Sequence, residues 1–156
     1  VNQIANKKQR EIDNMDMRIE KRDAFCVSGY YMETSEETLE RDCALLREKY
    51  EGKLRAISPN LYFVAWMSAD NKMIYQLSVE TPGETPEGMN RVEVPAGRFA
   101  VGTVPKGANI LATWHEFFAT VEASLDVAID VEYPIHFEYF DENGNCELWS
   151  PIVAGE

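Results

Sequence analysis

Cysteine, histidine and basic residues are all scarce in this 156-residue chain, and each shortage excludes something. The three cysteines, Cys26, Cys43 and Cys146, are odd in number, lie in or beside apolar runs and show no CxxC spacing. That excludes a disulfide framework and a thiolate metal site, and reads as reduced thiols in a cytoplasmic protein. Two histidines, His115 and His136, add no metal site of ordinary spacing. Fifteen Lys and Arg against 27 Asp and Glu leave a net charge of -12, which opposes binding to nucleic-acid phosphates or anionic lipid. No apolar run approaches the roughly 20 residues of a membrane span, and the polar start lacks a signal peptide's apolar region. A Gly-rich phosphate loop, a GxSxG elbow and a Cys/His pair with an orienting third group are missing too, so no cofactor is expected.

What is present fits one domain with a real core. VNQIANKKQR differs in composition from the rest, with Lys7, Lys8 and Arg10 and no acidic residue. Residues 1–14 therefore read as a linker from an upstream region or a solvated tail, and 15–156 as the domain. MRIEKRDAFCVSGYYME, residues 17–33, reads as a first strand with a bend near Asp23 and Gly29. Thr34 and Glu37 have capping-box spacing, and Leu39, Cys43, Leu46 and Tyr50 follow on one helical face. LYFVAW and KMIYQLSVE then read as a hairpin, and TPGETPEG, residues 81–88, as the boundary between halves.

The second half repeats this order. RVEVPAGRFAVGTV echoes RIEKRDAFCVSGY, and Ile110, Trp114, Phe117, Val121 and Leu125 make a second helical stripe. At the hairpins a 74-residue offset relates Phe63, Asn71 and Val79 to Phe137, Asn145 and Val153. The expectation is an α+β fold of two pseudo-twofold-related β-α-β-β units, about 17–80 and 91–153.

Within that repeat one residue breaks type. Glu138, in HFEYFDENGNCELWSPI, stands where the 74-residue offset puts Val64 in the first half. A carboxylate among aromatic neighbours is costly unless something neutralises it. Asn143-Gly144 is a preferred two-residue turn, and counting outward from it pairs Glu138 with Trp149. The matching count pairs Val64 with Tyr75. Cross-strand partners share a face, so Tyr62, Trp66, Tyr75, Phe140 and Trp149 are expected around one carboxylate.

The segments MRIEKRDAFCVSG, RVEVPAGRFAVG and HFEYFDENGNCELWSPI resemble, over roughly residues 15–153, the GyrI-like family. These are effector-binding domains often found C-terminal to the DNA-binding domains of AraC-type and MerR-type transcription regulators. The resemblance implies one antiparallel eight-stranded sheet with two helices, and a central groove for lipophilic, often cationic, small molecules. It places Glu138 as the central acidic residue and Phe140 and Trp149 among the groove aromatics; Tyr62, Trp66 and Tyr75 join them through the internal repeat. DNA would be contacted only through an upstream domain, no membrane is involved, and homodimerisation is left open. Two further readings share the residues: a small hydrolase of reactive electrophiles, with Glu138 as general base and Tyr75 or Tyr139 polarising the substrate, and an inhibitor or interaction protein with an acidic surface.

Overall fold

A computed structural model describes residues 15–124 and 126–155; the expectations for residues 1–14 and for Leu125 lie outside the described residues. The elements run β1 (Met17–Arg22), β2 (Phe25–Thr34), α1 (Leu39–Arg55), β3 (Leu61–Met67), β4 (Met73–Glu80), β5 (Asn90–Val94), β6 (Gly97–Val104), α2 (Ile110–Ala123), β7 (Val127–Ile129), β8 (His136–Phe140) and β9 (Cys146–Ala154). The strands form one antiparallel sheet in the order β1-β6-β9-β8-β3-β4-β2-β5, with β7 added beside β9.

That order reads the same from either end once the halves are exchanged, so the pseudo-twofold passes between the central strands β3 and β8. The α+β repeat is therefore present, with two corrections to its detail. The first strand breaks at Asp23-Ala24 into two, and β1 pairs with β6 of the second half while β5 pairs with β2 of the first. The short β7 has no counterpart and brings the sheet to nine strands instead of the expected eight.

The hairpin register is a further correction. Phe140 pairs with Cys146, Glu138 with Leu148 and Phe137 with Trp149. The connection is longer than a two-residue turn: Asp141 Oδ1 accepts from the backbone of Asn143 and Asn145, at 2.9 Å each, and Gly144 adopts φ 81°. Asp141 thus nucleates the turn and the left-handed glycine closes it, adding one residue to the loop. The first hairpin does the same with Asn71 at φ 62° and Ser68 bonded to Lys72. A one-residue change in register moves every side chain to the other face. The offset relating the hairpins becomes 73, from Met67 to Phe140 and Met73 to Cys146, which makes Ala65 rather than Val64 the counterpart of Glu138.

Both helices lie on one face of the sheet. Leu39, Leu46 and Leu54 of α1 pack with Leu61, Phe63, Tyr75, Leu77 and Val79. Trp114, Phe117 and Val121 of α2 pack with Ala100, Val104, Leu148 and Ile152. Each such fully buried side chain contributes about 1.5–3 kcal/mol. Gly102 lets α2 approach closely, since a Cβ there would come within 2.7 Å of the Phe117 ring. The capping box expected at Thr34 and Glu37 is replaced by a different device. Buried Asp42, in the first turn of α1, accepts from the Thr34 and Thr38 hydroxyls at 2.7 and 2.8 Å. Those bonds, Thr34 first, hold its carboxyl below its ordinary range.

Among the described residues, the opposite face carries no helix. Its core consists of Val27, Tyr62, Val64, Val94, Phe99, Val101, Phe137 and Trp149.

Candidate functional site

Glu138 projects from β8 toward the helices and is only 2% exposed. Its Oε2 accepts two hydrogen bonds, from Trp114 Nε1 at 2.8 Å and from the Tyr75 hydroxyl at 3.2 Å. Both donors are neutral, so the carboxylate is satisfied as an acceptor without being neutralised as a charge. Burial pushes its carboxyl up to about 7, against the opposing pull of the Trp114 and Tyr75 bonds and of the Arg47 charge. The neighbouring groups register that charge. Tyr75 is held far above its ordinary value, and Cys43 is pushed up to about 12, in both cases chiefly by burial and then by Glu138. Cys43 is therefore a closed, protonated thiol at neutral pH.

Beside the carboxylate is a cavity of about 370 Å³ between the two helices. Its floor is Phe63, Glu138 and Phe140 from the central strands. One wall is α1, through Leu39, Cys43 and Arg47; the other is the start of α2, through Ile110 and Leu111. Glu36, Glu37 and Glu40 stand exposed at the rim. The volume falls within the ordinary range for small-molecule sites, and the walls are apolar while the fixed charges are mainly negative. A desolvated carboxylate next to aromatic faces attracts a cation both directly and through the ring quadrupoles.

The six residues singled out from the sequence are divided by the sheet. Glu138, Tyr75 and Phe140 come together at the groove. Tyr62, Trp66 and Trp149 lie on the opposite face, so the expectation that they surround Glu138 is corrected, with the one-residue register change as its cause. Trp149 stacks on Phe137 at 5.3 Å and meets Phe99 edge-on at 5.6 Å. Tyr62 packs on Phe25 and accepts a hydrogen bond from Arg22 at 3.2 Å. Tyr139 also belongs to that face. His136 does not pair with Glu138: its Nδ1 lies 2.9 Å from the Ser150 hydroxyl, and burial lowers its pKa to about 4. His115 is exposed beside Glu36, at 2.9 Å.

Four groove residues escape the sequence reading. Trp114 looks like one more member of a core stripe, and only the crossing of α2 over β8 aims its indole at Glu138. Cys43 reads as one more member of a helical stripe and Phe63 as one more strand residue of the repeated hairpin, so nothing marks either for the groove. Arg47 follows Leu46 of the apolar stripe, and that placement on the edge of the helix face is the one pattern that could have marked it.

Comparison with known proteins places this geometry. No curated protein matches the chain in sequence. Among solved structures, an integron cassette protein from Vibrio cholerae aligns with TM-score 0.63 at 16% identity, covering 88% of this chain and 95% of that one. SAV2435, solved bound to tetraphenylphosphonium, aligns with TM-score 0.65 at 14% identity over 89% of this chain and 94% of its own. EcmrR, in a complex with DNA, aligns with TM-score 0.66 at 10% identity, over 97% of this chain and 62% of EcmrR. At these identities the likeness is one of fold. The family described as Cass2, integron-associated effector binding protein, matches residues 18–152. This chain belongs to that family.

Proposed function

We propose that the domain binds lipophilic cations in the groove between α1 and α2, and that it serves as the effector-sensing part of a transcription regulator. The observation that carries the reading is Glu138, a carboxylate 2% exposed, bonded only to neutral donors and open to an apolar cavity of about 370 Å³. A guest cation would supply the missing opposite charge at short range in low dielectric, where the attraction is strongest. Phe63 and Phe140 would supply ring faces. The acidic rim of Glu36, Glu37 and Glu40 would draw cations toward the mouth. SAV2435, of the same fold, is solved with such a cation, and EcmrR joins this fold to a chain that binds DNA. In this reading any contact with DNA is made by another domain, since the charge of -12 opposes it here.

The experiment is a titration of wild type and Glu138→Gln with tetraphenylphosphonium and with neutral triphenylmethanol. Glutamine keeps an oxygen to accept from Trp114 and Tyr75 and removes only the charge. Cation affinity is expected to fall by about 1.5–3 kcal/mol, with the neutral probe nearly unchanged. Equal losses for both probes would mean that Glu138 acts through packing, and no loss for either would refute the cation site.

A further inference from the structure

The groove already contains a cation of its own. Arg47 reaches from α1 so that its guanidinium carbon lies 4.4 Å from the Phe140 ring centroid and 5.2 Å from that of Phe63. These are the two aromatic rings on the cavity floor. Arg47 also donates to Glu51, one turn further along α1, and Glu51 lies 3.9 Å from Arg55. Its side chain is 31% exposed and its partner Glu51 33%, so both reach water. The guanidinium is thus held by one half-buried ion pair, by the rings and by its attraction to Glu138, not by a fully buried network, and an ion pair that reaches water is weaker than a buried one.

We propose that Arg47 is an internal competitor: its guanidinium covers the ring faces that a guest would use, and a ligand binds only by swinging it off Phe63 and Phe140 toward Glu51 and solvent. This rests on the reading of the groove as a ligand site and adds what sets its threshold. A small cation gains too little stacking to displace a guanidinium, which is planar, weakly hydrated and well suited to aromatic faces. A multi-ring cation covers both rings and reaches Glu138 as well, so selection for large, flat or propeller-shaped cations follows from Arg47 rather than from the cavity walls. The opposite face supplies a control. Arg22 stacks on Phe25 at 3.8 Å but is tied to both Tyr62 and Glu80 at 3.2 Å, and lines no part of the groove.

The test titrates wild type, Arg47→Ala, Arg47→Lys and Arg22→Gln with tetraphenylphosphonium and triphenylmethanol. Displacement predicts that Arg47→Ala binds the cation about tenfold tighter and the neutral probe several-fold tighter, because freeing the rings favours both. Arg47→Lys should fall between, and Arg22→Gln should match wild type. Tighter cation binding with unchanged neutral binding in Arg47→Ala would show that Arg47 acts only through its charge, and would overturn displacement. Weaker or unchanged binding of both probes to Arg47→Ala, with wild type still binding the cation, would overturn it too and leave the groove reading intact. Absence of binding in every protein would overturn both.

Discussion

The two faces of the central sheet both carry aromatic rings and are opposite in what they do with them. On the face opposite α1 and α2, Phe137 stacks on Trp149 at 5.3 Å and meets Phe99, Phe25 and Tyr62 within 5.9 Å, so ring packs on ring. On the helix face, Phe63 and Phe140 meet edge to face at 6.1 Å, and beside them are a cavity and a buried carboxylate. The first arrangement is what a core does with aromatics; the second leaves contact energy unspent. An aromatic cluster therefore says little about a site. Space left beside a buried carboxylate whose hydrogen-bond donors are neutral says more.

The sharpest way to break that comparison is to damage the filled face and ask whether the groove notices. Phe137 is fully buried on the side of β8 opposite Glu138. Phe137→Ala should cost about 3–5 kcal/mol of stability in urea denaturation, the range for removing a buried aromatic. Under conditions where the variant stays folded, its affinity for tetraphenylphosphonium should stay within a few-fold of wild type, as expected for sites separated by the sheet. A large loss of affinity would mean that the faces are coupled through β8 and that the division drawn here is wrong.

A second test uses two titratable groups of β8 on the helix face, buried Glu138 and half-buried His136. Glu138, raised from 4.5 to about 7, makes a contribution to stability that is fully present below pH 4.5 and is lost as pH rises through 7. His136, lowered from 6.5 to about 4, does the reverse: its contribution is present above pH 6.5 and is lost as pH falls toward 4. The two nearly cancel in wild type, which should show a flat stability profile across this window. Glu138→Gln removes one of them, so its stability should rise with pH between about 4 and 6.5. Its advantage over wild type should grow by roughly 3 kcal/mol up to pH 7 and then level off. Parallel profiles for the two proteins would mean that Glu138 is not desolvated in the folded state.

How much of this could be read beforehand follows the same division. Helix stripes such as Ile110, Trp114, Phe117 and Val121 are legible because burial and period agree. The repeat is legible as element order. Its strand exchange is not, since pairing β1 with β6 leaves no trace in either segment's own pattern. The register departs from the local pattern by one residue: Asn143-Gly144 suits a two-residue turn, and the carboxylate of Asp141, outside that pair, makes the turn longer. Glu138 is legible even so, because an acid in an aromatic strand is anomalous on either face. The same count puts Trp149, Tyr62 and Trp66 on the wrong side, because a parity error moves all partners at once.

The finest discrimination between the faces comes from two tyrosines of similar burial. Tyr75, 5% exposed, donates to Glu138 at 3.2 Å; Tyr62, 4% exposed, accepts from Arg22 at 3.2 Å on the other side. Each Tyr→Phe change should cost about 1 kcal/mol of stability, the ordinary value for one hydrogen bond. Only Tyr75→Phe removes a donor from the buried carboxylate, leaving Trp114 at 2.8 Å as its remaining bond. The Glu138 carboxyl should then climb above about 7, and at neutral pH a larger fraction would be protonated. Affinity of Tyr75→Phe for tetraphenylphosphonium should therefore fall a few-fold at pH 7 and recover by about pH 9, where the carboxylate is ionised again. Tyr62→Phe should follow wild type at both pH values. A loss in Tyr75→Phe that persists at pH 9 would show that the hydroxyl touches the guest directly, and an equal loss in both variants would show that packing, not charge, links these rings to binding.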